Sequence, residues 1–118
     1  MHMLIGLQPR FRQRIRLIQA ELAPSGFELF TTHRTPDRQH DLFMRGGITR
    51  ADAWQSAHQY GLAADFVRKI DGQWSWDGDF SLVKSVAEKY GCVVPMSWDP
   101  GHVESLDWRD LKKHLVML

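Results

Sequence analysis

The stretch Ser56-Ala57-His58-Gln59-Tyr60-Gly61-Leu62-Ala63-Ala64-Asp65 sets an imidazole and a carboxylate six residues apart, and Asp99-Pro100-Gly101-His102 adds a second imidazole with a carboxylate three residues before it. Two imidazoles and one carboxylate can hold a zinc ion and leave its fourth position open to water. A further carboxylate close to that position can take the proton of the water. His58, Asp65 and His102 are therefore the expected metal ligands, Zn2+ the expected cofactor, and Asp99 the expected general base. Taken one at a time, these residues are ordinary. A histidine beside Tyr60 is more often a surface or core residue than a ligand, and Asp99-Pro100-Gly101 is a good turn by composition alone. Asp65 is less easily dismissed. It interrupts the apolar run Leu-Ala-Ala-Asp-Phe-Val, where a carboxylate is costly unless it is paired or metal-bound.

The elements that must carry these side chains follow from pattern. Pro9 suits a first helical position, and Phe11, Ile15, Ile18 and Leu22 recur at helical spacing until Pro24-Ser25-Gly26 ends the run. Phe27 to Thr32 is rich in aromatic and β-branched residues and reads as a strand. Thr35-Pro36 opens a short helix that stops before Gly46-Gly47. Leu62 to Val67 is a strand, and Gly61 lets the backbone turn between His58 and Asp65. Asp71-Gly72 ahead of Trp74 and Trp76 signals a hairpin. Asp79 caps a helix through Leu82, Val83, Val86 and Tyr90 that Gly91 closes. Cys92 to Val94 and His102 to Glu104 read as short strands around the Trp-Asp-Pro-Gly turn, and Asp107 caps a last helix through Leu111, Leu115 and Leu118. Helices flanking a small antiparallel sheet make the expected fold class α+β.

The chain has 118 residues, one domain by length, with 43% apolar and 25% charged residues, ordinary for a globular protein. Without repeats or linkers, residues 1–118 are expected to form a single domain with no second binding module. A net charge of +1 gives no argument for nucleic acid or an anionic membrane, and the lone Cys92 excludes an internal disulfide. Arg10, Arg12, Arg14 and Arg16 are spread around the first helix and read as a solvated face, with no aromatic platform of the kind that binds single strands. No apolar run reaches the ~20 residues of a membrane span, and the first ten residues lack the charge and length of a signal peptide. A cytoplasmic monomer without membrane insertion is the expectation.

The pattern Ser56-x-His58-x-x-Gly61-x-Ala63-x-Asp65 with Asp99-x-x-His102 resembles the zinc peptidases related to D-Ala-D-Ala carboxypeptidases, vancomycin-resistance dipeptidases and phage L-alanyl-D-glutamate endolysins. These share a fold with lysostaphin-type enzymes and the hedgehog signalling domain. The resemblance runs from about Phe27 to Glu104. It implies zinc on His58, Asp65 and His102 and a general base at Asp99. Upstream, Thr32-His33-Arg34-Thr35 followed by Gln39 resembles the family's Gly-Tyr-Arg-Ser stretch, which implies that Arg34 stabilises the oxyanion. His33 stands where the family has tyrosine and is not expected as a fourth ligand. Ser56, Gln39 and Glu104 are the expected substrate contacts, with Ser56 and Glu104 alternatively supporting the ligands from behind. Trp98, beside the base, is a candidate wall of the cleft, although as one of five tryptophans it reads first as core.

What the resemblance implies is hydrolysis of peptidoglycan stem peptides. An endolysin-type L-alanyl-D-glutamate endopeptidase, released to the wall by a holin or delivered by a virion, is the main reading. A D-Ala-D-Ala carboxypeptidase and a non-catalytic zinc-stabilised binding module are the alternatives. Asp99 weighs against the last, since a binding-only site needs no base. Pocket specificity is expected in the segments from Arg45 to Gln55 and from Asp71 to Asp79.

Overall fold

The computed structural model describes residues 4, 6–47, 49, 51 and 55–108. The first helix, α1 (Pro9–Leu22), begins with proline at its first turn, where a missing N–H costs nothing, and buries Phe11, Ile15, Ile18 and Leu22. A short 3-10 turn over Ala23–Ser25 ends at Gly26 in the left-handed region, and the chain enters β1 (Phe27–Thr31). The second helix, α2 (Pro36–Arg45), is capped by the Thr35 hydroxyl, which accepts from the Arg38 N–H at 3.2 Å. The long central strand β2 (Ala63–Ile70) turns at Asp71 and Gly72, both with positive φ, into β3 (Gln73–Ser75). Two consecutive left-handed residues are what a tight hairpin between right-twisted strands requires. Helix α3 (Ser81–Lys89) then leads to β4 (Cys92–Val93) and β5 (His102–Ser105). Phe80, not the expected Asp79, takes the N-cap position of α3, and Asp79 one residue earlier accepts from the Ser81 N–H at 3.1 Å.

All strand pairings are antiparallel, in the order β1-β2-β5-β4, with β3 on the far end of β2. The α+β class read from the pattern is the class observed. Pairing divides the sheet into two faces of different character. Ala64, Phe66, Leu29 and Val103 point to the side filled by α1 and α3, where Ile15, Ile18, Leu22, Val83 and Val86 close the core and Phe27 meets Phe80 edge to face at 5.1 Å. Asp65, opposite His102 in register, points the other way, as does Glu104 two residues on. That open face carries the chemistry. The last helix expected from Asp107 lies outside the described residues beyond Trp108, as does part of the Arg45 to Gln55 segment.

Candidate metal centre

His58 sits in a 3-10 turn over Ala57–Tyr60 whose N-cap is Ser56; the Ser56 hydroxyl accepts from the His58 N–H at 3.3 Å. Gly61 ends the turn at φ +69, and a Cβ there would sit 2.5 Å from the Gly6 carbonyl oxygen, so only glycine fits. The Nδ1 of His58 lies against the Thr32 carbonyl. A carbonyl can only accept, so Nδ1 is the donor in this contact and Nε2 is the nitrogen turned toward Asp65. That Nε2 is 3.1 Å from Asp65 Oδ2.

On the neighbouring strand His102 turns Nδ1 toward Asp65 Oδ1 at 2.9 Å and Nε2 toward Glu104 Oε2 at 3.0 Å. Glu104 is itself held by the Trp108 indole N–H, 2.9 Å from Oε1. One donor atom each from His58, Asp65 and His102 lies within 4.8 Å of the other two, the group of metal-binding side chains found among the described residues. The donor set fits zinc on its chemistry. It offers two imidazoles and one carboxylate, and each imidazole has its remote nitrogen tied to an acceptor, which fixes ring orientation as it does in zinc sites.

Without a cation, the site compensates its own charge. Burial would raise the Asp65 carboxyl, but His58 and His102 outweigh it and hold that pKa below the usual range. For His102, burial would lower the pKa, and the hydrogen bonds to Asp65 and Glu104 reverse this and push it up to about 10. A metal ion arriving at His102 would therefore displace a proton.

Asp99 and Arg34 line the same cleft, a space of about 620 Å³ over the open face of the sheet. The Asp99-Pro100-Gly101 turn is pinned at both ends. The His102 N–H donates to the Asp99 carbonyl at 3.1 Å, and the Phe66 N–H donates to the Gly101 carbonyl at 2.8 Å. A Cβ on Gly101 would overlap the Phe66 carbonyl oxygen, so glycine is needed for this close approach. Burial, and secondarily the Asp65 charge, raises the Asp99 carboxyl above its ordinary value. The Arg34 guanidinium lies 3.7 Å from Asp65 Oδ2 and donates to Gln39 Oε1 at 2.7 Å.

Among the expected substrate contacts, Gln39 is not in the cleft lining, whereas Ser56 and Glu104 are. Gln39 is wholly buried and forms a hub below the cleft. Its oxygen accepts from Arg34 and from Gln59 Nε2, and its amide donates to Thr49 Oγ1 and the Ala51 carbonyl. Glu104 is 5% exposed, not a solvent-facing residue; it lines the cleft and meets His102 Nε2, supporting that ligand. Ser56 caps the His58 turn and also borders the cleft. Trp98, expected in the core, is 49% exposed on the cleft rim. Sequence reasoning passed over the Thr32 carbonyl, Gln59 and Trp108. A backbone acceptor leaves no trace in residue type, and Trp108 was detectable only as an indole four residues after Glu104.

No family model matches the chain. It is 28% identical to the peptidoglycan L-alanyl-D-glutamate endopeptidase CwlK of Bacillus subtilis (strain 168) over 123 residues, spanning 95% of this chain and 74% of that protein. Among solved structures, the Serratia marcescens L-Ala D-Glu endopeptidase ChiX superposes with a TM-score of 0.66 at 23% identity, covering 93% of this chain and 87% of ChiX. A variant of the vancomycin-resistance D,D-pentapeptidase VanY, solved in complex with Zn(II), gives 0.63 at 17% identity over 91% of this chain and 76% of VanY. The structural likenesses establish the fold, and the CwlK relationship extends nearly the full length of the chain. In fold, and over nearly its full length in sequence, the chain is similar to peptidoglycan peptidases of the VanY-like kind that its motif residues resemble.

Proposed function

We propose that the protein is a zinc-dependent peptidase that hydrolyses the L-alanyl-D-glutamate bond of peptidoglycan stem peptides. The observation that carries this reading is the convergence of His58, Asp65 and His102 in one cleft with Asp99 and Arg34. CwlK and ChiX, both L-alanyl-D-glutamate endopeptidases by name, support the choice of bond. VanY supports zinc as the metal and keeps D,D-carboxypeptidase activity as the alternative. Action on the wall after release from the producing cell is part of the same proposal.

His58, Asp65 and His102 would hold the ion, which supplies a water of lowered pKa and a Lewis acid for the peptide carbonyl. The residues of the chain do the rest. Asp99, its carboxyl raised above the ordinary value by burial, accepts the proton of the attacking water and passes it to the leaving amine. Arg34, braced by Gln39, presents a fixed cation to the developing oxyanion. Glu104 and the Thr32 carbonyl keep the two imidazoles aimed at Asp65. Purified protein is expected to bind about one zinc per chain and to release new amino termini from peptidoglycan in a chelator-sensitive reaction. Zinc binding with every muropeptide left intact would favour the non-catalytic module.

A further inference from the structure

The open face of the sheet continues past the metal centre. Along β2, Asp65, Val67 and Lys69 share this face, and their partners across the ladder are His102, Glu28 and Trp74. Lys69 lies four residues beyond Asp65, about 13 Å along the strand. Phe30 in β1 and Trp74 in β3 flank β2 from opposite edges and meet across it at 5.0 Å between ring centroids, edge to face. Trp76 closes on Phe30 at 5.4 Å. The Lys69 ammonium stands 4.9 Å from the Trp74 ring.

These rings are not core. Phe30, Trp74 and Trp76 are 40%, 37% and 63% exposed. Three large aromatics grouped on a surface mark an interaction site more often than an accident of packing. Phe30 and Trp76 also line the cleft that holds Asp65, His102 and Asp99, so the aromatic patch and the metal centre form one continuous surface. The exposed Glu28 and Lys69 border the patch. A lipid surface would have to strip water from those charges at a cost, whereas a ligand with both apolar faces and hydroxyls would use them.

We propose that Phe30, Trp74 and Trp76 form a shelf for the amino-sugar strand to which the stem peptide is attached. This rests on the peptidoglycan reading above. A pyranose ring has a flat C–H face that suits the electron-rich face of an aromatic ring, and its hydroxyl and acetamido groups can reach Glu28 and Lys69. The chemistry of the substrate makes the placement specific. In a stem peptide, one L-alanyl residue and a lactyl ether separate the L-alanyl-D-glutamate bond from the sugar. A residue spans roughly 3.5 Å, so a sugar must lie close to the reacting carbonyl, on the scale of the cleft wall itself. The D-alanyl end is several residues further from the sugar, and cleavage there would not bring the glycan onto this shelf. Rings already packed against one another lose little freedom on binding.

The test uses the full-length protein and a linear tetramer of β-1,4-linked N-acetylglucosamine, followed by titration calorimetry. Saturable binding is expected, about tenfold weaker in Trp74→Ala and restored to within a few-fold by Trp74→Phe. No saturable binding, or equal binding by Trp74→Ala, would overturn the shelf. Trp74→Ala changing self-association in sedimentation while leaving sugar binding intact would also overturn it and assign the patch to a protein contact. A second readout compares kcat/KM for a disaccharide-linked stem peptide with that for the free peptide. The glycan-linked form is expected to be preferred, with the preference lost in Trp74→Ala. Sugar binding by a protein that cuts neither peptide would remove the peptidase reading and leave the shelf standing.

Discussion

Asp65 is a carboxylate shared by two imidazoles and a guanidinium, with His58, His102 and Arg34 all within 3.7 Å of its oxygens. Such a group is tolerable in a buried strand only because its charge is answered, and the two imidazoles that answer it are the same donors proposed to hold the metal. Asp99 and Glu104 are both carboxylates near His102, yet their surroundings give them separable roles. Asp99 faces the cleft with a raised pKa, whereas Glu104 is buried against His102 Nε2 and the Trp108 indole. Asp99→Asn is expected to retain one zinc per chain by metal analysis and to lower kcat by at least ~10²-fold, the usual scale for a lost general base. Glu104→Gln is expected to weaken zinc about 10- to 100-fold in competition with a chromogenic chelator, because Glu104 orients the ligand His102. Full turnover by Asp99→Asn would remove it from the mechanism. The roles of these two residues were only half legible in the sequence. Spacing set Asp99 beside His102, but nothing in residue type said that Glu104 turns inward; the strand register and the indole of Trp108 decide that.

The central strand is the element that organises the molecule. Its alternation sends Ala64 and Phe66 into the core and Asp65 and Val67 toward the cleft, and its register with β5 sets His102 opposite Asp65. Helical periodicity in α1, the Thr35 cap and the Asp71-Gly72 hairpin were readable because each rests on local chemistry. The buried hub at Gln39 and the exposure of Trp98 were not, since both depend on contacts between segments distant in sequence. Between β4 and β5 the Asp99-Pro100-Gly101 turn must press against β2, and its glycine is the piece that permits this. Gly101→Ala is expected to lower the melting temperature and weaken zinc together, because pushing the turn off the Phe66 carbonyl moves His102 from its ladder position. Unchanged zinc affinity in a folded Gly101→Ala protein would show that the turn does not set the ligand's place.

At the scale of the whole molecule the site couples stability to pH. In the metal-free fold His102 keeps its proton up to about pH 10, against an unfolded value near ~6.5. A raised folded pKa stabilises most below the unfolded pKa, and this contribution is lost as pH rises through the folded one. Asp65 works in the opposite direction: its lowered pKa stabilises above the ordinary carboxylate range, and that contribution fades on acidification. Chelator-treated protein is therefore expected to lose melting temperature on raising the pH from about 6.5 toward 10. Zinc affinity should rise over the same interval, since binding expels the His102 proton. A metal-free protein whose melting temperature stays flat across that interval would contradict the ion-pair account of His102 and Asp65. The same triad, joined to Asp99 and Arg34 in one cleft, carries the functional claim, and the position of the cut bond tests it most directly. Mass spectrometry of muropeptides digested by the zinc-loaded protein is predicted to find L-alanine left on the sugar and a new amino terminus on D-glutamate. Loss of a single D-alanine, or muropeptides returned intact, would contradict it.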